Sequence, residues 1–216
     1  MNQELFSYVD HTLLKPEATP EQIAALCAEA AEHGTASVCV NGSYVALAKK
    51  LLDGKAKVCA VIGFPLGAMS TAAKAFEAAE AIRDGADEID MVIHIGQLKA
   101  GNTDYVLEDI KAVKAAIGDH ILKVIIETCL LTEEEKITMC RLVTESGAEY
   151  IKTSTGFSTG GATFDDVRLF AEHVGEGVKI KAAGGIRSRE DMEEFLRLGA
   201  SRLGTSSAVK ILCGKN

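Results

Sequence analysis

Two lysines lie inside stretches of sequence that otherwise have the character of buried β-strands. Lys152 interrupts the segment YIKTS, and Lys181 interrupts the segment KIKAAG. A lysine ammonium is costly to bury in a sheet or barrel unless charged or polar groups meet it. A third strand-like segment carries a carboxylate, Asp90. These three side chains could form a structural ion pair, or they could perform chemistry.

Two lysines on neighbouring strands favour chemistry over a purely structural role. The structural alternative is an ion pair of Asp90 with one lysine, while the other lysine extends its ammonium group to solvent. Two ammonium groups about 4 Å apart repel by about 4 kcal/mol at an effective dielectric of about 20. Repulsion and desolvation both favour a neutral amine, which is a nucleophile toward carbonyl carbon. This pattern predicts a Schiff base on Lys152, with Lys181 tuning that amine and Asp90 carrying protons.

The elements that must position these side chains recur eight times along the chain. Short β-rich runs alternate with longer amphipathic runs, and a helical pattern follows each strand candidate. The eight strand candidates are residues 7–12, 36–41, 57–63, 88–93, 122–127, 150–154, 179–184 and 201–206.

Strict alternation of strands and helices implies parallel strands joined by crossover helices. Eight such units predict an α/β protein with a single (β/α)8 TIM barrel domain over residues 1–216. The alternative is an open, doubly wound sheet. That fold normally uses fewer strands and shows a GxGxxG turn after the first one, which this sequence lacks.

Helix-capping signals support the predicted helices. Thr19 and Gln22 form a predicted capping box around a proline, and Gly34 marks the end of the same helix. Similar starts occur at Thr132 and Ser188, each with an acidic residue three positions later.

Side-chain alternation predicts which groups face the barrel axis. Successive side chains of a strand point to opposite faces, so the outward Ile180 and Ala182 leave Lys181 facing inward. The same count directs Lys152 and Asp90 toward the axis. In this fold the chemistry lies at the carboxyl ends of the strands, where these groups are expected to meet.

Glycine-rich turns follow the last strands and predict an anion site. AAGGIRS and LGTSSA follow strands seven and eight, and TSTG follows strand six. Free backbone N–H groups at helix starts attract anions, and the loops after strands seven and eight often bind phosphate in this fold. The alternative is that these glycines only form tight turns. The three turns together favour a phosphate site.

Eight motifs together resemble those of the deoxyribose-phosphate aldolase family. They are DHTLLKP, SVCVN, GFPLGA, GADEIDMVI, IIETCLL, YIKTSTGF, KAAGGIR and a TSS near the end. The resemblance runs from about residue 8 to about residue 212. It implies a class I aldolase that reversibly cleaves 2-deoxy-D-ribose 5-phosphate to acetaldehyde and D-glyceraldehyde 3-phosphate through a lysine Schiff base.

The resemblance also implies roles for individual residues. It assigns the Schiff base to Lys152, the second lysine to Lys181 and the proton relay to Asp90. Residues expected to bind the substrate or its phosphate are Asp10, Thr12, Cys39, Thr155, Gly156, Gly184, Gly185, Gly204, Ser206 and Ser207. The sequence departs from the family pattern at His94, where Asn is expected, at Gly42, where Pro is usual, and at Ala183, where Ser is frequent. His94 could alter the electrostatics near Asp90, and Gly42 could loosen the loop after strand two.

Several other charged residues have less specific interpretations. Lys123 opens strand five and is expected at the opposite end of the barrel. Glu127 is expected to point inward near Thr128, in a supporting rather than a catalytic role. Arg187 and Lys210 are candidates for positive charge beside the phosphate loops, and a solvated surface role is equally compatible with their positions.

Composition limits the partners and the compartment. A formal net charge of −8 argues against nucleic acid but leaves room for a small anion in a locally positive pocket. The first residues lack the features of a signal peptide, and no apolar run approaches the roughly 20 residues that span a bilayer. The six cysteines form no CxxC pair, so we expect reduced thiols and a cytoplasmic protein. Neither HxH nor HExxH occurs, so no metal or other cofactor is expected.

The expected partners are therefore a small sugar phosphate and an aldehyde, with no membrane contact; a homodimer or homotetramer is compatible with the sequence.

Two other functions remain open at this point. A sugar-phosphate isomerase would use Asp90 as a base, and its activity would survive replacement of Lys152 by alanine. A non-catalytic sugar-phosphate sensor would bind ligand without turnover, although binding alone needs no neutral amine.

Overall fold

The computed structural model describes residues 2–214, and in it eight parallel strands close into one barrel in chain order. The strands are β1 (Val9–Leu13), β2 (Ser37–Asn41), β3 (Lys57–Ile62), β4 (Glu88–Val92), β5 (Ile121–Ile125), β6 (Tyr150–Lys152), β7 (Lys179–Ala183) and β8 (Ala200–Thr205). β1 pairs with both β2 and β8, so the barrel is closed. The predicted (β/α)8 barrel is confirmed, all eight predicted strands are present, and the open-sheet alternative is wrong.

Helices surround the barrel. They are α1 (Asn2–Phe6), α2 (Pro20–His33), α3 (Val45–Leu52), α4 (Thr71–Arg83), α5 (Ile95–Lys99), α6 (Thr103–Ile117), α7 (Glu133–Ser146), α8 (Phe164–His173), α9 (Arg189–Arg197) and α10 (Ala208–Cys213). The capping boxes predicted at Thr19, Thr132 and Ser188 are all formed. Each such cap stabilises its helix by roughly 1 kcal/mol. Across the described residues, no helix combines the length and the apolar character needed to cross a membrane.

The main apolar core lies between the strands and the helices. Ile89, Met91, Ile151, Ile180 and Ala182 belong to it, and the outward direction predicted for Ile180 and Ala182 is thereby confirmed. Their neighbours along the strands therefore point to the axis. A second, small apolar cluster contains Leu14, Cys39, Cys59 and Val61, with Phe64 packed against it.

Candidate active site

Asp90 is the centre of a cluster of buried charges on the barrel axis. Its Oδ2 atom accepts hydrogen bonds from Nζ of Lys152 at 2.7 Å and Nζ of Lys181 at 2.6 Å. Its Oδ1 atom accepts one from Nζ of Lys123 at 2.8 Å. No more than 4% of any of these side chains is exposed. The structure thus brings together the acid and the two lysines that strand alternation predicted to meet.

Sheet register explains this meeting. Lys152 of β6 and Lys181 of β7 are directly paired positions on adjacent parallel strands, so two inward lysines lie side by side. Asp90 of β4 and Lys123 of β5 are paired in the same way. The barrel closes these pairs toward one another across its interior.

The expectation that Lys123 lies at the other end of the barrel is wrong. Its ammonium group bridges Oδ1 of Asp90, at 2.8 Å, and Oε2 of Glu88, at 2.7 Å. Lys123 lies one side-chain layer below Lys152 along the axis, because Lys123 pairs with Tyr150 and Ile125 pairs with Lys152. Because Lys123 is directly paired with Asp90 on the neighbouring strand, its ammonium group reaches the Asp90 carboxylate.

A lower layer of charges supports the cluster from beneath. Asp10 pairs with Lys181, and its Oδ1 atom accepts hydrogen bonds from Arg202 and from Ser37, both at 2.6 Å. Arg202 also pairs with Glu88, with Nη1 at 3.0 Å from Oε2. Asp10, Glu88 and Asp90 are therefore each matched by at least two cations.

The buried cluster holds one more cation than it holds carboxylates. Its four buried cations are Lys123, Lys152, Lys181 and Arg202, and its three buried carboxylates are Asp10, Glu88 and Asp90. The half-exposed Lys57 also reaches Glu88, at 3.3 Å. If one buried amine loses its proton, the buried charges balance. A surplus of positive charge in a dry interior favours that neutral amine.

The pKa shifts indicate which groups stay charged. Burial opposes ionisation of Asp90, but Lys123, Lys152 and Lys181 outweigh burial and hold the pKa of Asp90 well below its usual value. Burial likewise opposes the charge on Lys181, yet Asp10 and Asp90 raise its pKa above the usual value. Lys181, expected from the sequence to lie beside the Lys152 amine, is therefore itself paired with Asp10 and Asp90. It is a fixed cation that two carboxylates compensate.

Above the cluster lies a cavity of about 660 Å³ that Lys152 lines. Of the residues predicted to contact substrate or phosphate, the cavity is lined by Thr12, Thr155, Gly156, Gly184, Gly185, Gly204, Ser206 and Ser207. Lys152 thus joins the buried charges below to the open space above. Asp90 and Lys181 contact the Lys152 amine but do not line the cavity.

Asp10 and Cys39 were expected to contact substrate, and the structure places neither on the cavity wall. Asp10 is fully buried and binds Lys181 and Arg202 instead. Thr12, two residues further along the same face of β1, is the one that reaches the cavity. Cys39 is fully buried in the small apolar cluster described above. Both side chains lie too deep in the barrel for the predicted contact.

The cavity wall is positively charged and rich in glycine. Lys15 and Arg187 line it together with Lys152, and no aspartate or glutamate does. Gly184 and Gly185 have φ values of 77° and 75°, in the left-handed region that favours glycine. The wall therefore suits an anion, although the whole protein is acidic. Lys15 was not singled out from the sequence, Arg187 was, and Lys210 does not line this cavity.

Of the three departures from the family pattern, Ala183 lines the cavity with Lys152, whereas His94 and Gly42 lie in the loops after β4 and β2. The imidazole Nδ1 of His94 accepts a hydrogen bond from the N–H of Gln97 at 3.3 Å and caps α5, and the ring meets Tyr105 edge-on. These contacts give His94 a structural role at the start of α5. Gly42 begins a short 3-10 helix that ends at Tyr44.

A group of possible metal ligands also lies beside the cluster. The ligand atoms of Cys39, Cys59 and Asp90 are all within 4.8 Å of one another. Asp90, however, already accepts hydrogen bonds from three ammonium groups. A metal cation would add charge to a site that already has a positive surplus, so the donor set does not suit one.

Comparison with known proteins gives one family. Residues 5–216 match the profile of the DeoC/LacD family aldolases. The chain is 59% identical over 212 residues to the deoxyribose-phosphate aldolase of Streptococcus suis, covering 98% of this chain and 96% of that protein.

Comparison with solved structures gives the same family. A putative deoxyribose-phosphate aldolase from Coccidioides immitis superposes with a TM-score of 0.96 at 43% identity, over 99% of this chain and 86% of that one. The deoxyribose phosphate aldolase from Aeropyrum pernix, described as having a unique tetrameric structure, superposes with a TM-score of 0.90 at 32% identity, over 99% and 92%. The resemblance found in the sequence motifs is confirmed, and the chain belongs to the DeoC/LacD family of aldolases.

Proposed function

We propose that this aldolase reversibly cleaves 2-deoxy-D-ribose 5-phosphate to acetaldehyde and D-glyceraldehyde 3-phosphate, through a Schiff base on Lys152. The curated relatives carry the name of this activity. One observation carries the residue assignment. Of the four cations in the buried cluster, Lys152 is the one whose side chain lines the cavity. The other three cations of this cluster, Lys123, Lys181 and Arg202, are each fixed by at least two carboxylates.

The chemistry follows from a neutral amine at Lys152. Nζ attacks the aldehyde carbon of the open-chain sugar, and loss of water gives an iminium ion. The hydroxyl on the third carbon then loses its proton, the bond between the second and third carbons breaks, and the iminium accepts the electron pair as an enamine. D-Glyceraldehyde 3-phosphate leaves, the enamine takes up a proton, and water releases acetaldehyde from the lysine.

Asp90 and Lys181 would serve this sequence without leaving the barrel interior. Asp90 accepts a hydrogen bond from Lys152 and can relay protons to and from that amine. Lys181 stays charged, because Asp10 and Asp90 raise its pKa above the usual value. Because its pKa is held well below the usual value, Asp90 is a weak base. This argues against an isomerase in which Asp90 removes a proton from carbon unaided.

The phosphate end of the substrate would bind at the far side of the cavity. Lys15 and Arg187 supply positive charge to the cavity wall, and the glycine turns at Gly184 and Gly204 allow a ligand to approach the backbone closely. The hydroxyl groups of Ser206 and Ser207 line the same region. A wall without a carboxylate fits a phosphorylated sugar better than a neutral one.

Borohydride trapping tests this function and the residue together. Incubation with acetaldehyde or deoxyribose 5-phosphate plus borohydride should leave a stable adduct, which peptide mapping should locate on Lys152. The buried Lys74 and Lys123 are internal controls and should remain unmodified. Turnover of deoxyribose 5-phosphate without any adduct would contradict the Schiff base, and binding without turnover would indicate a sensor.

The proposal includes the setting of the enzyme. We propose that residues 1–216 act as one domain in the cytoplasm, as a homodimer or homotetramer without a nucleic-acid partner. The tetrameric relative from Aeropyrum pernix supports an oligomer. Light scattering on purified protein would measure its mass, and a monomer at micromolar concentration would contradict this part.

A further inference from the structure

Glu127 has an unusual backbone conformation next to the active site. It lies two residues beyond the end of β5, with φ 57° and ψ 66°. This left-handed region is unfavourable for a residue other than glycine. Within residues 2–214 only Asp53 shares a positive φ among non-glycine residues, and Asp53 simply ends α3. Glu127 ends no α-helix, so its conformation calls for another explanation.

The side chain of Glu127 provides that explanation. It is buried, with 2% exposed, and both of its oxygens bind one residue. Oε1 accepts the backbone N–H of Thr155 at 3.2 Å, and Oε2 accepts the hydroxyl of Thr155 at 2.5 Å. The hydroxyl oxygen of Thr155 in turn accepts the N–H of Phe157 at 3.0 Å. One carboxylate thus fixes the segment from Thr155 to Phe157.

These contacts are not needed to join the two loops. The N–H of Ile126 already donates to the carbonyl of Lys152 at 3.1 Å, and the N–H of Thr128 donates to the carbonyl of Thr153 at 3.0 Å. The left-handed turn between these two bonds directs the carboxylate of Glu127 toward Thr155. The turn at Glu127 therefore affects the segment that begins at Thr155, just after β6, the strand that carries Lys152.

That segment forms part of the proposed phosphate cradle. Thr155, Gly156 and Phe157 line the cavity. A Cβ atom placed on Gly184 would lie 3.5 Å from Cα of Gly156 and 3.3 Å from Cα of Gly161, so the two glycine turns are in close contact. A shift of Thr155 would therefore move Gly156 against Gly184, while Lys152 remains held by Asp90.

We infer that Glu127 is a positioning residue, which holds the Thr155–Phe157 segment against the Gly184 turn and so sets the preference for a phosphorylated sugar. This inference rests on the proposed function. It adds that the part of the site that binds phosphate and the part that carries the amine are controlled by different residues. Glu127 controls binding of the phosphate end, and the Asp90 cluster controls the amine.

The test compares phosphorylated and unphosphorylated deoxyribose in three variants, Glu127→Gln, Glu127→Ala and Thr155→Val. We expect kcat/KM for deoxyribose 5-phosphate to fall by about 10- to 100-fold in Glu127→Ala, mainly through KM, because small displacements of binding groups are costly. For unphosphorylated deoxyribose the fall should stay below about threefold. Glu127→Gln should lie between parent and Glu127→Ala, because its amide oxygen can still accept the Thr155 N–H.

Glu149 offers a matched control at the opposite end of β6. Its carboxylate accepts the N–H of Leu122 at 2.8 Å and pairs with Lys114. Glu149→Gln makes the same chemical change at a partly buried carboxylate contact that does not line the cavity. It should lower the melting temperature without changing the ratio of kcat/KM for deoxyribose 5-phosphate to kcat/KM for deoxyribose. A ratio that changes equally in both Gln variants would overturn the inference.

Trapping with acetaldehyde separates this inference from the proposed function. Acetaldehyde has no phosphate, so the rate of adduct formation on Lys152 should be the same in the Glu127 variants as in the parent. Absence of the adduct in the parent would refute the proposed Schiff base. An adduct in the parent, with equal losses for both sugars in the Glu127 variants, would refute only the role of Glu127. If Glu127→Ala fails to fold, Thr155→Val and Glu127→Gln still decide the question.

Discussion

The protein buries lysine–aspartate pairs in two places, and the two places differ in stoichiometry. Between α4 and α6, Lys74 donates to Oδ2 of Asp109 at 2.5 Å, and both side chains are fully buried. Thr71 donates to the other oxygen of Asp109 at 2.8 Å. Here one cation meets one carboxylate. On the barrel axis, one carboxylate, Asp90, meets three lysines.

The two places also differ in access. The stem of Lys74 packs against Gly63, within 3.2 Å of where a Cβ atom would lie, and Lys74 does not line the main cavity. Burial lowers the pKa of Lys74, and its hydrogen bond and ion pair with Asp109 offset this only in part. A shifted pKa alone therefore does not indicate a catalytic lysine. A surplus of positive charge and a side chain open to a cavity, found together, are the better criterion.

Replacing each lysine by methionine gives the largest contrast. Lys152→Met should reduce turnover by at least about 10³-fold and abolish the borohydride adduct, because the nucleophile is gone. Lys74→Met should keep kcat/KM near that of the parent. It should instead lower the free energy of unfolding by about 3–5 kcal/mol, because Asp109 is left buried and unpaired. Steady-state kinetics and urea unfolding measure the two effects, and an adduct in Lys152→Met would contradict the assignment.

Replacing each aspartate by asparagine should give a smaller contrast in activity. Asp90→Asn removes the proton carrier and leaves four buried cations with two carboxylates, so activity should fall by about 10²- to 10⁴-fold. Asp109→Asn should change only stability. Near-UV circular dichroism would check that both variants are folded before kcat/KM is compared. Equal kcat/KM values in the two variants would mean that Asp90 is only a structural partner.

Lys181→Leu should move the pH dependence of kcat toward the alkaline side by about one pH unit or more, which corresponds to about 1.4 kcal/mol. The reason is the charge balance. Without Lys181, the remaining buried cations and carboxylates are equal in number while Lys152 is protonated, so the amine keeps its proton to higher pH. Asp10 keeps its contacts with Arg202 and Ser37. The matched variant Lys74→Met should leave the profile unshifted, and an unshifted profile in Lys181→Leu would refute the tuning role.

The sequence predicted the part of this arrangement that depends on strand periodicity. Alternation within single strands was sufficient to direct Asp90, Lys152 and Lys181 to the axis. It could not give depth within the barrel, which depends on the stagger between strands. For that reason Lys123 was assigned to the wrong end, and alternation could not correct the family-based assignment of Asp10 to the substrate.

Other features were beyond pattern reasoning because they join distant segments. Arg202 and Glu88 are 114 positions apart, and neither was singled out, although Glu88 shares the inward face of β4 with Asp90. The pair of Lys74 and Asp109 was missed because the lysine lies in an alanine-rich helix whose partner is another helix. Counting inward charges on all eight strands would have found Glu88 and Lys123, but the helix pair needs the packed structure.

The smallest effect is expected from removing the helix pair altogether. The double variant Lys74→Met/Asp109→Leu should unfold within about 1 kcal/mol of the parent and should retain its activity, because well-packed apolar residues can replace a buried one-to-one ion pair. Each single variant should be much less stable, so the double-mutant cycle should show a large coupling energy.

On the barrel axis, no lysine–aspartate pair can be replaced by apolar residues in the same way. Removing Lys152 and Asp90 together would leave Lys123 and Lys181 with fewer carboxylates than before, because their charges are shared across the cluster. A double helix-pair variant that loses activity would show that the two buried sites are coupled, and that stoichiometry alone does not separate the structural lysine from the reactive one.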